Sequence, residues 1–120
     1  MALKRGNLGF STQIDAGETV AVYTVGSAQT AYIKSVLLHN LDTFGVQNVK
    51  IHIVANSGGS AGTASSTTQI ARIGISTNDS FFFEPAYPIT LTSTGDTLQV
   101  NNEGSIANSI NVLVLGDKEV

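Results

Sequence analysis

Apolar residues in this chain recur at every second position, and no stretch carries them at helical spacing. Val49, Ile51 and Ile53 point to one side of an extended segment, while Lys50 and His52 point to the other. Leu98 and Val100 alternate with Gln99, and Val20 and Val22 with Ala21 and Tyr23. Ile110, Val112 and Val114 interleave with Asn111, Leu113 and Leu115. The far end of that segment is apolar on both faces, which predicts a central or covered strand. The stretch 31–40 reads as one long strand, with Ile33 and Leu37 on one face and Val36 and Leu38 on the other. Shorter strands are expected over 69–75, 81–84 and 89–92. Side-chain chemistry agrees: 34 of the 120 residues are Val, Ile or Thr, whose branched Cβ favours the pleated strand over the helix.

Between these segments lie turn formers, at Asp15 to Gly17, Gly26-Ser27, Asp42 to Gly45, Thr77 to Ser80, Ser93 to Asp96 and Asn101 to Gly104. Pro85 and Pro88 fall between two strands, where a missing backbone donor does no harm. About eight short strands with frequent turns predict an all-β fold, a two-sheet β-sandwich of jelly-roll type. The organisation expected is an N-terminal arm over 1–14 and a single domain over 15–120. Gly17-Glu18-Thr19-Val20 and Gly95-Asp96-Thr97-Leu98 repeat one order of residues entering a strand, the same turn solution used twice. Residues 56–68 hold no large apolar side chain, so this segment is expected to be a mobile loop unless a partner orders it.

Composition then narrows the function classes. The chain has no Cys, which removes disulfides, thiolate chemistry and Cys-ligated zinc. Charged residues make up 12%, against about 25% in an ordinary domain. Six Lys and Arg face nine Asp and Glu, with no basic stripe, so no nucleic-acid partner is expected. Ser, Thr, Asn and Gln number 39, and a surface of hydroxyls and amides desolvates more cheaply than one of charges. No apolar run follows Lys4 and Arg5, so no Sec-type signal is expected, and no apolar stretch is long enough for a membrane helix.

Motifs for catalysis fail one by one. Gly58 to Gly62 matches G-x-S-x-G around Ser60, but that motif works only where a strand turns into a helix and offers the Ser to a His. Here Gly and Ser simply continue. Of the two histidines, His52 shares a face with the cation Lys50 and His39 ends a strand; both read as a solvated face and a strand-end hydrogen bonder. Asp117 and Glu119 are close in sequence, and with Lys118 they read as a solvated tail. Asn78-Asp79-Ser80 is a formal glycosylation acceptor without a secretory context. No catalytic, cofactor-binding or metal-binding residue is expected, and the chain is read as a protein that is not an enzyme.

The aromatic residues point to surfaces instead. Phe81, Phe82 and Phe83 are adjacent, so a strand there has rings on both faces. Phe81 and Phe83 are expected to fill the core and Phe82 to face outward with Glu84. With Tyr87 between the two prolines, Phe82 can form an interface patch. Lys4, Arg5 and Phe10 in the arm are the other interface candidates. Phe82, Tyr87 and the low charge predict a homo-oligomer, with a trimer preferred.

One resemblance follows from the order of elements. Tyr23-Thr24-Val25-Gly26 leads to Thr30-Ala31-Tyr32-Ile33-Lys34-Ser35-Val36-Leu37-Leu38-His39-Asn40; Pro88-Ile89-Thr90-Leu91 and Gly95-Asp96-Thr97-Leu98-Gln99-Val100 then precede the last strand, 110–115. This pattern resembles small virion proteins of tailed bacteriophages, most of all capsid decoration (cement) proteins. The resemblance implies a trimer on the capsid surface that clamps neighbouring copies of a major capsid protein, with the arm as a strap whose Lys4 and Arg5 meet acidic surface. It implies no catalytic residues. A neck, tail or fibre component remains open, as does a glycan- or receptor-binding sandwich module.

Overall fold

The computed structural model describes residues 3–43, 45–104 and 109–119, and of Lys4, Arg5 and Asn7 only the backbone. No helix occurs among the described residues. Ten strands follow in order: β1 (Leu3–Asn7), β2 (Thr12–Ile14), β3 (Thr19–Thr24), β4 (Thr30–Asn40), β5 (Gln47–Val54), β6 (Gln69–Ile75), β7 (Ser80–Phe83), β8 (Ile89–Leu91), β9 (Thr97–Asn102) and β10 (Ile110–Glu119). They form two antiparallel sheets, one of six strands and one of four.

The pairing is nested. β1 and β2 both pair with β10, β3 with β9, β4 with both β7 and β8, and β5 with β6. Counting β1 with β2 and β7 with β8 as single interrupted positions leaves eight positions, paired first with last, second with seventh, third with sixth, and fourth with fifth. That order is a jelly roll, and the β10–β4 and β9–β5 pairings complete the two sheets. Each interruption has a local cause. Between β7 and β8, Pro85 and Pro88 have no N–H for the ladder and occupy a sheet edge. Between β1 and β2 the chain leaves regular pairing but stays tied to β10 through Leu8 N–H to the Val114 carbonyl, at 2.9 Å.

The core lies between the sheets. Ile33, Val36, Leu38, Ile110 and Val112 from the six-stranded sheet meet Val49, Ile51, Leu98 and Val100 from the four-stranded one, all buried. Each such side chain contributes about 1.5–3 kcal/mol on burial. At the strand ends the sheets are fastened by buried amides. Asn40 closes β4 onto the end of β6, and Asn102 closes β9 onto Ile14 of β2.

Four sequence expectations change. Strict alternation placed Ile33 with Leu37, yet Ile33 shares the core with Val36 and Leu38. The reason is a bulge: Leu115 faces Ser35 but Gly116 faces Ile33, so Lys34 is an extra residue that reverses the phase of β4. The Ser35 hydroxyl beside it is buried without a hydrogen-bond partner. Residues 3–14, expected as an arm, run along β10, and Ile14 is fully buried, so the core begins inside that segment. Asp117 and Glu119 are not on a tail. They belong to β10, where Lys34 Nζ meets Asp117 Oδ2 at 2.7 Å and the Tyr32 hydroxyl donates to Glu119. Phe81 points to the core side opposite Leu38 but stays 42% exposed, because β7 is an edge strand with no neighbour to cover it.

Candidate functional site

Two regions gather the groups capable of recognition, one on each sheet. On the six-stranded sheet, β10 and β4 put Leu113 opposite Leu37, and β4 and β7 put Leu37 opposite Phe82. These three side chains alternate away from the core and form an apolar row across the outer face. Leu37 and Leu113 are half-buried there, and Phe82 is 53% exposed. A hollow of about 150 Å³ opens along the row beside His39 and Asn111. His39 is the strand-end hydrogen bonder expected of it, with Nδ1 2.8 Å from Ser80 Oγ.

The row ends on the β7–β8 edge, where Tyr87 between the two prolines is 84% exposed. The β1–β2 edge lies on the far side of the same sheet and carries Phe10 at 93% exposure. The structure therefore sets Phe82 and Tyr87 on one edge and Phe10 on the opposite edge. The backbones of Lys4 and Arg5 lie in β1, while their side chains fall outside the described residues. The Leu37–Leu113 part of the row was not singled out from sequence, although the two apolar faces of 110–115 were its signal.

The four-stranded sheet is different, because residues 56–68 lie over its outer face. The expectation of a mobile loop does not hold. Asp96 Oδ1 accepts from the Asn56 backbone N–H at 2.9 Å and from Asn56 Nδ2 at 3.0 Å. Ser57 and Ser60 exchange backbone hydrogen bonds. Gln99 Nε2 donates to the Gly62 carbonyl at 3.0 Å, and Thr68 Oγ1 closes the last turn on Ser65. Gly95 is what lets the loop come so close: it has φ of +91°, and a Cβ there would stand 2.6 Å from the Gly59 carbonyl oxygen. Hydrophobic content misjudged this loop because hydrogen bonds to the sheet, and not apolar burial, hold it.

The same cover overturns the reading of His52 as a solvated residue. His52 is buried beneath the loop, with Nδ1 2.9 Å from Thr68 Oγ1. The Thr68 hydroxyl already donates to Ser65 O, so Nδ1–H is the donor to it. Burial, reinforced by the Lys50 ammonium, lowers the imidazole pKa against the opposing effect of a backbone hydrogen bond at Ser65. His52 is thus a neutral fastener of the loop near pH 7.

Next to it lies a trough of about 290 Å³. Thr19, Asn101, Lys50 and Gln69, one from each of the four strands, form its floor with His52, and Ala64 to Ser66 form a wall. Among the described residues no group of three or more His, Asp or Glu is placed to hold a metal ion.

The repeated turn is also confirmed in detail. Glu18 Oε1 accepts from Asp15 N–H at 3.0 Å, and Asp96 Oδ2 accepts from Ser93 N–H at 3.1 Å, each acid three residues beyond its donor. For Asp96, burial raises the carboxyl pKa, but hydrogen bonds from Asn56, Ser93 and Thr92 outweigh it and hold the group below its ordinary value. A depressed carboxyl stabilises the fold above its unfolded pKa and loses that contribution as the pH falls through the folded one. Asp96→Ala is expected to cost about 1–2 kcal/mol. It should raise amide exchange across 56–68 while β4 and β10 keep their protection. Wild type should show the same loop-selective rise on acidification below the usual aspartate range. Hydrogen exchange read by mass spectrometry checks both, and unchanged exchange in the variant would contradict the anchoring role.

The fold defines this chain as an eight-position jelly-roll β-sandwich. No family model and no curated protein matches it. Among solved structures, it is similar to a chain of the extra small virus particle of the giant freshwater prawn Macrobrachium rosenbergii, with 11% identity and a TM-score of 0.45, covering 100% of this chain and 81% of that one. It is also similar to a chain of the T13 particle of infectious bursal disease virus, at 11% identity and TM-score 0.41, covering 98% of this chain and 34% of the other. A chain of the Gt strain of that virus gives 7% identity and TM-score 0.37. The chain spans about a third of the length of the two bursal disease virus chains.

Proposed function

We propose that this chain is a structural virion protein that forms a homo-oligomer and sits on a capsid, bridging neighbouring capsid subunits. One observation carries the reading: the apolar row Leu113–Leu37–Phe82 runs out to Tyr87 on the edge of a sandwich whose core is already complete without it. Exposed aromatics of this kind cost solubility, and an exposed apolar patch marks a contact surface. A second feature supports a ring. Phe10 stands on the opposite edge of the same sheet, and contact between unlike edges is head-to-tail, which closes into a trimer when the rotation is right. The neutral surface desolvates cheaply against a capsid, and many weakly bound copies on one lattice gain from avidity.

Light scattering at micromolar concentration is expected to give an oligomer for the wild type and a monomer for the double variant Phe82→Ser, Tyr87→Ser. Truncating two central aromatics costs about 2 kcal/mol or more at an interface, roughly a 30-fold weakening. A monomeric wild type contradicts the oligomer. The capsid role is tested separately by quantitative mass spectrometry of purified virions. Copy numbers on the order of hundreds, as a lattice of weak sites requires, support decoration, and a handful of copies per particle overturns it in favour of a neck or tail position.

A further inference from the structure

We propose that the trough on the outer face of the four-stranded sheet binds a monosaccharide bearing a carboxylate, with Lys50 taking the carboxylate and Gln69, Asn101 and Ser66 taking hydroxyls. The charge of the site comes first. Lys50 is the cation of the trough, and none of the described residues that line it is acidic. Its nearest carboxylate, Glu103, is committed elsewhere: Arg72 Nε holds Glu103 Oε2 at 2.7 Å, whereas Lys50 Nζ lies 3.9 Å from the other oxygen. An ammonium left with so distant a partner retains hydrogen-bonding capacity for an incoming anion.

Unspent hydrogen-bonding capacity comes second. The Gln69 carboxamide and the Ser66 hydroxyl make no hydrogen bond within the described chain, and both face the trough. Asn101 spends Nδ2 on Thr19 Oγ1 at 2.9 Å and Glu18 O at 3.3 Å, which leaves Oδ1 as an acceptor. Sugar hydroxyls donate and accept at once, so a carboxamide, a hydroxyl and an amide oxygen around one cation match an acidic sugar better than a bare inorganic anion.

Rigidity comes third. The wall at 64–66 is not free to collapse into the trough, because Thr68 closes its turn and His52 fastens Thr68 to β5. The volume of about 290 Å³ is at the small end of ligand pockets, roughly 300–1,000 Å³, and suits one sugar ring. No aromatic ring lines the trough for stacking, so a single site binds weakly, with Kd on the order of millimolar. The trough and the apolar row occupy opposite sheets, so sugar binding does not rest on the assembly reading.

The test is a titration of the ¹⁵N-labelled full chain with sodium glucuronate, with glucose and sodium acetate as controls. Saturable shifts are expected at the side-chain amides of Gln69 and Asn101 with glucuronate. Glucose should bind about tenfold more weakly, since one charge-assisted contact is worth about 1.4 kcal/mol. Lys50→Gln should bring glucuronate down to the glucose affinity. Gln69→Ala should weaken both sugars and so separate the hydroxyl contacts from the charge. The proposal is overturned by an absence of saturable shifts up to roughly 50 mM glucuronate, well above a millimolar Kd. It is equally overturned by acetate matching glucuronate, or by full affinity in Lys50→Gln with an unchanged amide spectrum.

Discussion

Asn40→Ala is expected to destabilise the fold by about 4 kcal/mol. Asn40 ends β4 with no solvent exposure. Its Nδ2 faces three carbonyls, those of Ile75 at 2.9 Å, Gly45 at 3.1 Å and Ser76 at 3.2 Å. Its Oδ1 accepts from Asp42 N–H at 2.8 Å. One carboxamide therefore ties the turn after β4 to the end of β6, which is in the other sheet. Alanine removes every one of these bonds and leaves the backbone groups where water reaches them poorly. A single lost hydrogen bond costs about 1 kcal/mol, and each buried group left without a partner adds to that. On a domain whose whole stability is about 5–15 kcal/mol, the variant should melt roughly 15 °C lower. Asn40→Asp separates the donor from the acceptor. It retains an oxygen for Asp42 N–H but turns a second oxygen toward three carbonyls. Burial and those carbonyls raise the pKa of the new acid in the folded state, so its penalty is greatest at neutral pH and shrinks as the pH falls. Urea denaturation at two pH values reads both variants. A loss below 1 kcal/mol in Asn40→Ala would refute the role of the amide as the fastener between sheets.

Asn40 also shows where the sequence was legible and where it was not. Alternation located the strands, since each half-buried strand writes its inner face into every second residue, as Val49, Ile51, Leu98 and Val100 do. The same rule found Phe82 on the outer face. It has no means of seeing an insertion in the ladder: nothing at Lys34 and Ser35 marks a bulge, which lies opposite Leu115 and Gly116, about eighty positions on. Long-range polar contacts were equally invisible. Residues 56–68 look unfoldable because their anchors are distant in sequence, Asp96 in the turn before β9 and Gln99 within β9. Asp117 and Glu119 look like a tail because their partners, Lys34 and Tyr32, are on β4. In the trough, Lys50 and His52 were seen as one face of a strand, but Thr19, Gln69 and Asn101 reach that face only through pairing. Local pattern reports which face a residue takes; topology alone decides what it meets there.

Gly116→Ala should be about as damaging as the loss of Asn40, for a steric reason. A Cβ on Gly116 would lie 2.0 Å from the Tyr32 carbonyl oxygen and 3.1 Å from the Tyr32 carbonyl carbon. Both obstacles are backbone in β4, a strand with neighbours on each side, so neither can rotate away. One response is for β10 and β4 to move apart, which lengthens ladder bonds and loosens the Lys34–Asp117 pair at 2.7 Å. Overpacking of this kind costs about 3 kcal/mol or more when the obstacle is fixed backbone. The other response is to lose the bulge. A slip of one residue would then turn Ala31 and Ile33 out of the core, since side chains in a strand change face with every residue. Both responses lower the urea midpoint, and they differ at Ile33, whose methyl signals stay core-like in the first and become solvent-exposed in the second. Gly9→Ala is the control, because a Cβ there meets nothing within 4 Å, and it should leave stability within about 0.5 kcal/mol. Equal midpoints for Gly116→Ala and Gly9→Ala would mean that β4 does not approach β10 as closely as described. The bulge would then lose its role as the device that brings Ile33 into line with Val36 and Leu38.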